Sequence, residues 1–197
     1  MTTLLVVRHA EVHNPRNILY GRLPGFGLSD KGREQAAETA RFLSTRPVAA
    51  IYSSPLLRAR QTADIIAATL GTVERHVTKR LLETRTGYQG ASNDVIKPGF
   101  SFYEPPAREE DESMQAVWER MSAFLRAMRR RHAGETIVAV SHADPIAIVY
   151  LGLSRRPLTP ATMHASLYPA RSSVTQIVFG EDASPTITYF NVVGSPV

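Results

Sequence analysis

Three short apolar runs, each followed by polar residues, constrain the fold of this 197-residue chain more than any other feature. They read "LLVV" before Arg8 and His9, "VAAIYSS" ending at Ser54, and "TIVAVS" before His142. Continuous apolar runs of this length are typical of strands buried on both faces of a parallel sheet. Because the carboxyl ends of such strands meet at one edge, the polar residues that follow them are predicted to share one crevice.

Helical patterns separate these runs. Ser29 is predicted to cap a helix over "KGREQAAETARFLSTR", Pro55 to lie in the first turn of the next helix, and Gly71 to end it. The longest helix is predicted over "DESMQAVWERMSAFLRAMRRRH", and a short one at Pro145 with Asp144 as its cap. "VERHVTKRL" is predicted to be a short strand, and "SSVTQIVFG" with "PTITYFNVV" a hairpin at the sheet edge. This order predicts an α/β fold with one domain over residues 1–197.

Composition narrows the class of protein. A hydrophobic content of 43% and a charged content of 21% are those of a folded globular chain. No apolar run approaches a membrane span and the first residues do not resemble a signal peptide, so we expect a cytoplasmic protein without a membrane partner. The chain has no cysteine, which excludes disulfides, a thiolate nucleophile and a zinc site built on sulfur.

The net charge of +5 favours an anionic partner. The densest basic run, Arg126 to His132, ends the longest predicted helix, where cations complement the helix dipole. Neither interleaved aromatic residues nor a groove-reading motif accompanies it, so we predict no nucleic-acid partner.

The strand ends carry the groups of an anion site. Arg8 and His9 follow the first strand, His142 follows the third, and Arg58 opens the helix after the second. Planar guanidinium groups match phosphate oxygens. Like charge from two arginines is expected to lower the pKa of His9, leaving a neutral imidazole able to attack phosphorus. Glu83, after the short strand, is the acidic residue placed to protonate a leaving alkoxide.

Four stretches together, "VVRHAEV", "IYSSPLLRARQTA", "LLETRTGYQG" and "VAVSHADPI", resemble the histidine phosphatase superfamily, also called phosphoglycerate-mutase-like, in content, order and spacing. The resemblance implies a three-layer α/β/α fold with a mixed, mostly parallel sheet. It also implies a phosphomonoester hydrolase that acts on a small phosphorylated metabolite through a phosphohistidine, without metal or other cofactor.

The same resemblance assigns roles to single residues. Arg8 and His9 match the pair that carries the nucleophile, and Glu83 matches the proton donor. Arg58 and His142 match phosphate-binding residues. Two further predictions concern residues after the first motif. The family's phosphate-binding asparagine corresponds to Asn14, with Asn17 as the alternative, and Arg22 resembles an arginine near the substrate.

A long irregular segment runs from Glu83 to about Asp111, and residues 84–112 are predicted to line the substrate pocket, because long loops in compact domains are often functional. Candidate contacts in it include three cations and four aromatic residues: Arg85, Tyr88, Lys97, Phe100, Phe102, Tyr103 and Arg108.

Three other functions are compatible with the motifs. A phosphomutase would return the phosphate to a second hydroxyl, although such mutases are generally longer chains. A metal-dependent hydrolase would use His9, Glu11, His13, His142 and Asp144 as ligands, against the repulsion of two arginines. A catalytically silent phosphate-binding module on the same fold is the third.

Overall fold

The structure is a computed structural model that describes residues 1–180 and 184–193. The predicted domain also includes residues 181–183 and 194–197, which lie outside the described residues. Six strands form one sheet: β1 Thr2–Arg8, β2 Val48–Ser53, β3 Glu74–Val77, β4 Thr136–Ser141, β5 Val174–Phe179 and β6 Thr186–Phe190.

The strands lie in the order β3-β2-β4-β1-β5-β6. β1, β2, β3 and β4 run parallel to one another, with β4 between β1 and β2. β5 is antiparallel to β1, and β6 pairs with β5 as the predicted edge hairpin. The sheet is therefore mixed and mostly parallel, as expected.

Among the described residues, five α-helices connect and cover the strands: α1 Asp30–Leu43, α2 Leu57–Leu70, α3 Met114–Arg131, α4 Ala143–Leu153 and α5 Pro160–His164. Ser29 caps α1 through its side chain, and Gly71 follows α2 as predicted. Pro55 does not lie in the first turn of α2, because the cap is Leu56. The cap of α3 is Ser113, so this helix begins three residues later than predicted. The predicted strand "VERHVTKRL" is shorter, since a 3-10 helix covers Lys79–Leu81.

Two apolar clusters show the layers. One joins Leu4 and Val6 of β1 to Phe124 of α3 and Ile148 of α4. The other joins the opposite face of the sheet to α1 and α2, through side chains such as Leu5, Val7, Leu43, Ile51 and Ile66. Alternate residues of β1 thus point into different clusters, which explains why the sequence "LLVV" is apolar throughout. The α/β/α arrangement of the prediction is confirmed.

The segment after β1 is held against α1 by a close backbone contact. A Cβ on Gly32 would lie 2.0 Å from the carbonyl oxygen of Glu11, so only glycine fits this position of the helix. The same contact region contains the hydrogen bond from Ser29 N to Glu11 O, 3.1 Å long. The residues that follow His9 are thereby fixed on the first turn of α1.

None of the helices among residues 1–180 and 184–193 combines the length and the apolar character that a bilayer crossing requires.

Candidate active site

The carboxyl ends of β1, β2 and β4 meet at one edge of the sheet. Arg8 is in register with Ser141, and Ser53 with Val140, so the residues that follow these strands are close in space. A cavity of about 480 Å³ opens at this edge. Its wall includes Arg8, His9 and Glu83. The crevice predicted from the strand ends is present.

His9 is almost fully buried, and its hydrogen bonds determine its tautomer. Nδ1 lies 2.8 Å from the carbonyl oxygen of Ala10, which only accepts hydrogen bonds, so Nδ1 carries the proton. Nε2 of the neutral ring therefore carries no proton and can accept a hydrogen bond. Arg58 Nε donates to this Nε2 at 3.1 Å. Nε2 therefore faces a guanidinium group.

Arg58 and His142 lie beside His9 and are fully buried. Arg58 lies in the first turn of α2, donates from Nη2 to the carbonyl oxygen of Gly21 at 2.7 Å, and its guanidinium carbon is 4.7 Å from the ring centroid of Tyr20. The His142 ring centroid is 5.1 Å from that of His9. The two strand ends thus bring a cation and a second imidazole against His9.

Several donors around His9 lack partners. Within the part of the chain that the structure describes, the buried side-chain nitrogens without a hydrogen bond include Arg8 Nε, Arg58 Nη1 and His142 Nδ1. Buried polar groups are normally satisfied, since an unpaired one costs about 1–3 kcal/mol. Three such nitrogens around one imidazole are what a site for a tetrahedral oxyanion requires.

The pKa of His9 is lowered well below its ordinary value. Burial of the ring is the main cause, followed by the charges of Arg58 and then Arg8. The pKa of His142 is also lowered, first by burial and then by Arg58. The neutral imidazole expected from the sequence is therefore favoured, although burial contributes more than the like charge on which that expectation depended.

Glu83 lines the cavity, and its carboxyl group lies close to His142. Its Oε2 is 3.9 Å from His142 Nδ1, and its Oε1 accepts the backbone N–H of Thr84 at 2.9 Å. Burial, and after it the nearby carboxylate of Asp144, raise the pKa of this carboxyl to about 7, against the opposing charge of Arg58. A carboxyl group with this pKa carries a proton over much of the neutral range and can donate it.

Asp144 is not the cap of α4, as the sequence predicts, but lies within the helix. The cap residue of α4 is His142, and Asp144 lies in the first turn. Its carboxylate accepts the hydroxyl of Tyr103 at 2.8 Å and that of Tyr168 at 2.5 Å. Both tyrosines have a raised pKa, caused first by burial and then by the Asp144 charge.

Asp144 and its two tyrosines contact residues on both sides, Thr84 next to Glu83 and Arg8. Because Tyr103 donates to Asp144, its oxygen accepts the hydroxyl of Thr84, 3.0 Å away and next to Glu83. The ring centroid of Tyr168 lies 5.7 Å from the guanidinium carbon of Arg8. Sequence reasoning missed Tyr168, which lies in a stretch without a motif or a periodic pattern.

Asn14 and Asn17 both line the cavity. The side chain of Asn14 bonds twice to the backbone of Ile18, at 2.8 and 3.2 Å. The side-chain oxygen of Asn17 accepts from Asn93 Nδ2 at 2.7 Å. The assignment of a phosphate ligand to Asn14, with Asn17 as the alternative, stays a prediction.

Arg22 is not part of the cavity wall. Its Nη2 lies 2.6 Å from Glu112 Oε2, and its Nε donates to the carbonyl oxygen of Glu83 at 2.7 Å. Arg120 also pairs with Glu112, at 2.9 Å. The contacts of Arg22 thus hold the backbone of Glu83 in place. The predicted role of Arg22 near the substrate stays a prediction.

The irregular segment contributes fewer pocket residues than predicted. Phe102 lines the cavity, together with four residues that the prediction did not include: Thr84, Thr86, Asn93 and Ile96. The other six candidates are absent from its wall, so the prediction was wrong for Arg85, Tyr88, Lys97, Phe100, Tyr103 and Arg108. Phe100 and Tyr88 instead pack edge-on around Phe102, with ring centroids 5.0 and 6.3 Å from its own.

Across the described ranges, no three His, Asp or Glu side chains form a group that could hold one metal ion. The ligand set of the metal-hydrolase alternative is therefore not assembled. Its member Glu11 is instead paired with Arg171, at 2.9 Å.

A model of the histidine phosphatase superfamily, branch 1, matches residues 4–192. The chain belongs to this superfamily. The resemblance carried by the four motifs is thereby confirmed, and the histidine phosphatase match extends through the C-terminal hairpin.

The chain is also similar to individual proteins. The chain is 34% identical over 163 residues to phosphoserine phosphatase 1 of Hydrogenobacter thermophilus, covering 78% of this chain and 76% of that one. The structure of YhfR from Bacillus stearothermophilus superposes with a TM-score of 0.84 at 25% identity, covering 100% and 98% of the two chains. Phosphoserine phosphatase from Entamoeba histolytica, in complex with 3-phosphoglyceric acid, gives 0.81 at 27% identity and 98% coverage of both.

Proposed function

We propose that this protein is a phosphomonoester hydrolase that transfers the phosphoryl group of a small phosphorylated metabolite to Nε2 of His9 and then to water. One observation carries the proposal: the unprotonated Nε2 of a buried imidazole lies among Arg8, Arg58 and His142, each with an unpartnered buried nitrogen. The superfamily membership and the phosphoserine phosphatases among the relatives support it.

In the first step, Nε2 of His9 forms a bond to phosphorus as the bond to the ester oxygen breaks. Negative charge on the three equatorial oxygens would be bound by Arg8, Arg58 and His142, which costs little reorganisation because these side chains are already fixed. For Arg58 this means exchanging its hydrogen bond to His9 for one to phosphate. Glu83 would give its proton to the departing alkoxide.

In the second step, water attacks the phosphohistidine. Glu83, now ionised, would accept a proton from that water, and the nitrogen–phosphorus bond would break to release inorganic phosphate and neutral His9. The same carboxyl thus serves as acid and then as base, for which a pKa of about 7 is well matched. A cytoplasmic location stays a prediction.

Hydrolysis of p-nitrophenyl phosphate tests this function directly. We expect turnover that a chelator leaves unchanged and that orthovanadate inhibits competitively, because the donors around His9 would bind a trigonal-bipyramidal oxyanion more tightly than phosphate. Steady-state rates with and without EDTA, and over a vanadate series, give both results. Loss of turnover in EDTA, or inhibition by phosphate as strong as that by vanadate, would contradict the proposal.

The pH dependence should identify Asp144 as a group that adjusts Glu83. For an alkyl phosphate, kcat/KM of the wild type should fall as the pH rises through about 7, where Glu83 loses its proton. Asp144→Asn removes a negative charge that raises the pKa of Glu83, so this fall should move to lower pH, by roughly 0.5–1 pH unit. A pH–rate profile of both proteins measures the displacement.

Tyr103→Phe is the matched control for that experiment. It removes a hydrogen bond to Asp144 but keeps the carboxylate and its charge. Its alkaline limb should therefore remain that of the wild type. An equal displacement in both variants would mean that packing around Asp144, and not its charge, determines the titration of Glu83.

A further inference from the structure

We propose that the alcohol part of the substrate is uncharged and largely apolar or aromatic. The cavity at His9 has apolar side chains in its wall, and several nearby cations do not line it. The inference depends on the proposed function, since it names the class of phosphomonoester that the His9 site would hydrolyse. It distinguishes this chain from an enzyme for phosphoserine or phosphoglycerate, whose alcohol parts carry charged groups.

Several of the side chains that line the cavity are apolar or aromatic: Ile18, Leu19, Tyr20, Ile96 and Phe102, with the Tyr20 ring centroid 6.5 Å from that of His9. Of the amides in the wall, the side chain of Asn14 bonds to the Ile18 backbone, and the side-chain oxygen of Asn17 accepts from Asn93. Apolar walls with a few fixed polar groups are typical of sites that bind by removing apolar surface from water.

The two aromatic rings in this wall are supported from outside the cavity. Tyr20 stacks on Phe26, with ring centroids 5.3 Å apart, and lies under the guanidinium of Arg58. Phe102 is held edge-on by Phe100 and Tyr88. Rings fixed in this way lose little conformational freedom when a ligand packs on them, so the aromatic wall is ready before the substrate arrives.

Four cations that could pair with a substrate carboxylate do not line the cavity. Arg85, Lys97 and Arg108 are absent from its wall, although the irregular segment carries all three. Arg22 is occupied by Glu112 and by the backbone of Glu83. These four positions are therefore not available to neutralise a second anionic group.

Two arginines do line the cavity, Arg8 and Arg171. Arg8 belongs to the proposed phosphate site beside His9. Arg171 Nη1 lies 2.9 Å from Glu11 Oε2, so its charge is already paired. A carboxylate on the alcohol part would thus lose water without gaining a free cation, which is unfavourable.

The acidic side chains of the wall do not offer a free site for an ammonium group. Besides Glu83, they are Glu11 and Asp144. Glu11 accepts from Ser29 and Arg171, and Asp144 accepts from two tyrosines. An aminated substrate would have to displace these contacts, whereas an uncharged one would leave them intact.

The experiment compares four esters with alkoxide leaving groups: benzyl phosphate, O-phosphoserine, 3-phosphoglycerate and phosphoethanolamine. We expect kcat/KM for benzyl phosphate to exceed that for each of the other three by at least about 100-fold, since each charged group would be desolvated without a partner. A charged ester hydrolysed as efficiently as benzyl phosphate would overturn the inference. Activity on p-nitrophenyl phosphate, measured in parallel, separates this outcome from a failure of the proposed function, which would abolish that activity as well.

A pair of variants at Ile96 sharpens the test, because this side chain lines the cavity but is 49% exposed, so a polar residue can be accommodated. Ile96→Arg should raise the ratio of kcat/KM for 3-phosphoglycerate to that for benzyl phosphate by about tenfold, the effect of one added charge pair. Ile96→Gln, polar but neutral, should raise it much less. Equal ratios in the two variants would overturn the inference that missing cations determine the selectivity.

Discussion

His9→Ala should abolish turnover of every phosphomonoester, with a loss of at least about four orders of magnitude in kcat, because the variant has no nucleophile to form the covalent intermediate. The nitrogen that would be lost is the unprotonated Nε2, fixed by the bond between Nδ1 and the Ala10 carbonyl. The measurement is the rate of p-nitrophenol release, together with labelling of the protein by a ³²P-labelled phosphoryl donor. Both should vanish in the variant.

The chemistry of the labelled adduct identifies the atom that carries the phosphoryl group. A phosphohistidine is a phosphoramidate and should be labile in acid and stable in alkali. An adduct stable in acid would instead place the phosphoryl group on an oxygen, and Ser54, whose Oγ lies 2.8 Å from His142 Nε2, would be the candidate. Turnover well above background in His9→Ala would reject covalent catalysis by His9.

His13→Ala is the matched control, since His13 is exposed and does not line the cavity. Its activity should equal that of the wild type. The metal-hydrolase alternative makes the opposite prediction, because there His13 is a ligand whose loss would impair activity.

The sheet and the position of the site could be predicted from the sequence because both depend on local patterns. Apolar runs of four to six residues identify buried strands, and parallel strands must present their carboxyl ends at one edge. Arg8, His9 and His142 follow such runs directly, so their proximity needs no knowledge of loop conformation. The prediction is thus confirmed for the strands, whose apolar runs have clear ends in the sequence.

The walls of the cavity could not be predicted in the same way, because loop contacts join residues far apart in the chain. Arg22 is paired with Glu112, 90 positions later, and this pair turns an arginine away from the substrate cavity. The irregular segment has no period that states which side chains face inwards. Its cations are expected in the pocket from their chemistry alone, yet the structure places none of the three named ones in the wall, which holds the predicted Phe102 and, besides it, Ile96.

At Asp144, the local rule for a helix cap competes with the need of a buried carboxylate for hydrogen-bond donors. An aspartate before Pro145 fits the rule for a helix cap, yet the helix begins at Ala143, two residues before the predicted start, and the carboxylate accepts hydrogen bonds from Tyr103 and Tyr168. Burial decides this outcome, because a carboxylate at 5% exposure needs donors and two tyrosine hydroxyls supply them. The tyrosines lie 41 and 24 positions away, beyond the reach of a local rule.

Glu83→Gln should separate proton donation from phosphate binding. Glutamine keeps the size of the side chain and an oxygen that can accept the Thr84 N–H, but it cannot deliver a proton. An alkoxide leaving group needs that proton in the transition state, whereas p-nitrophenolate leaves readily without it. The variant should therefore lose about 10²–10⁴-fold in kcat/KM on an alkyl phosphate, the usual effect of general acid catalysis.

Formation of the phosphoenzyme from p-nitrophenyl phosphate should slow by less than about tenfold in the same variant, which makes the two leaving groups each other's control. The comparison requires pre-steady-state bursts, since breakdown of the phosphoenzyme also uses Glu83 and will limit the steady-state rate. The alkaline limb near pH 7 seen for the alkyl ester should disappear, because the group that titrates there is gone. Equal losses on both esters in the first step would show that Glu83 positions phosphate or supports the fold, and the acid would then be sought at Asp144 or Glu11, the other carboxyl groups of the cavity wall.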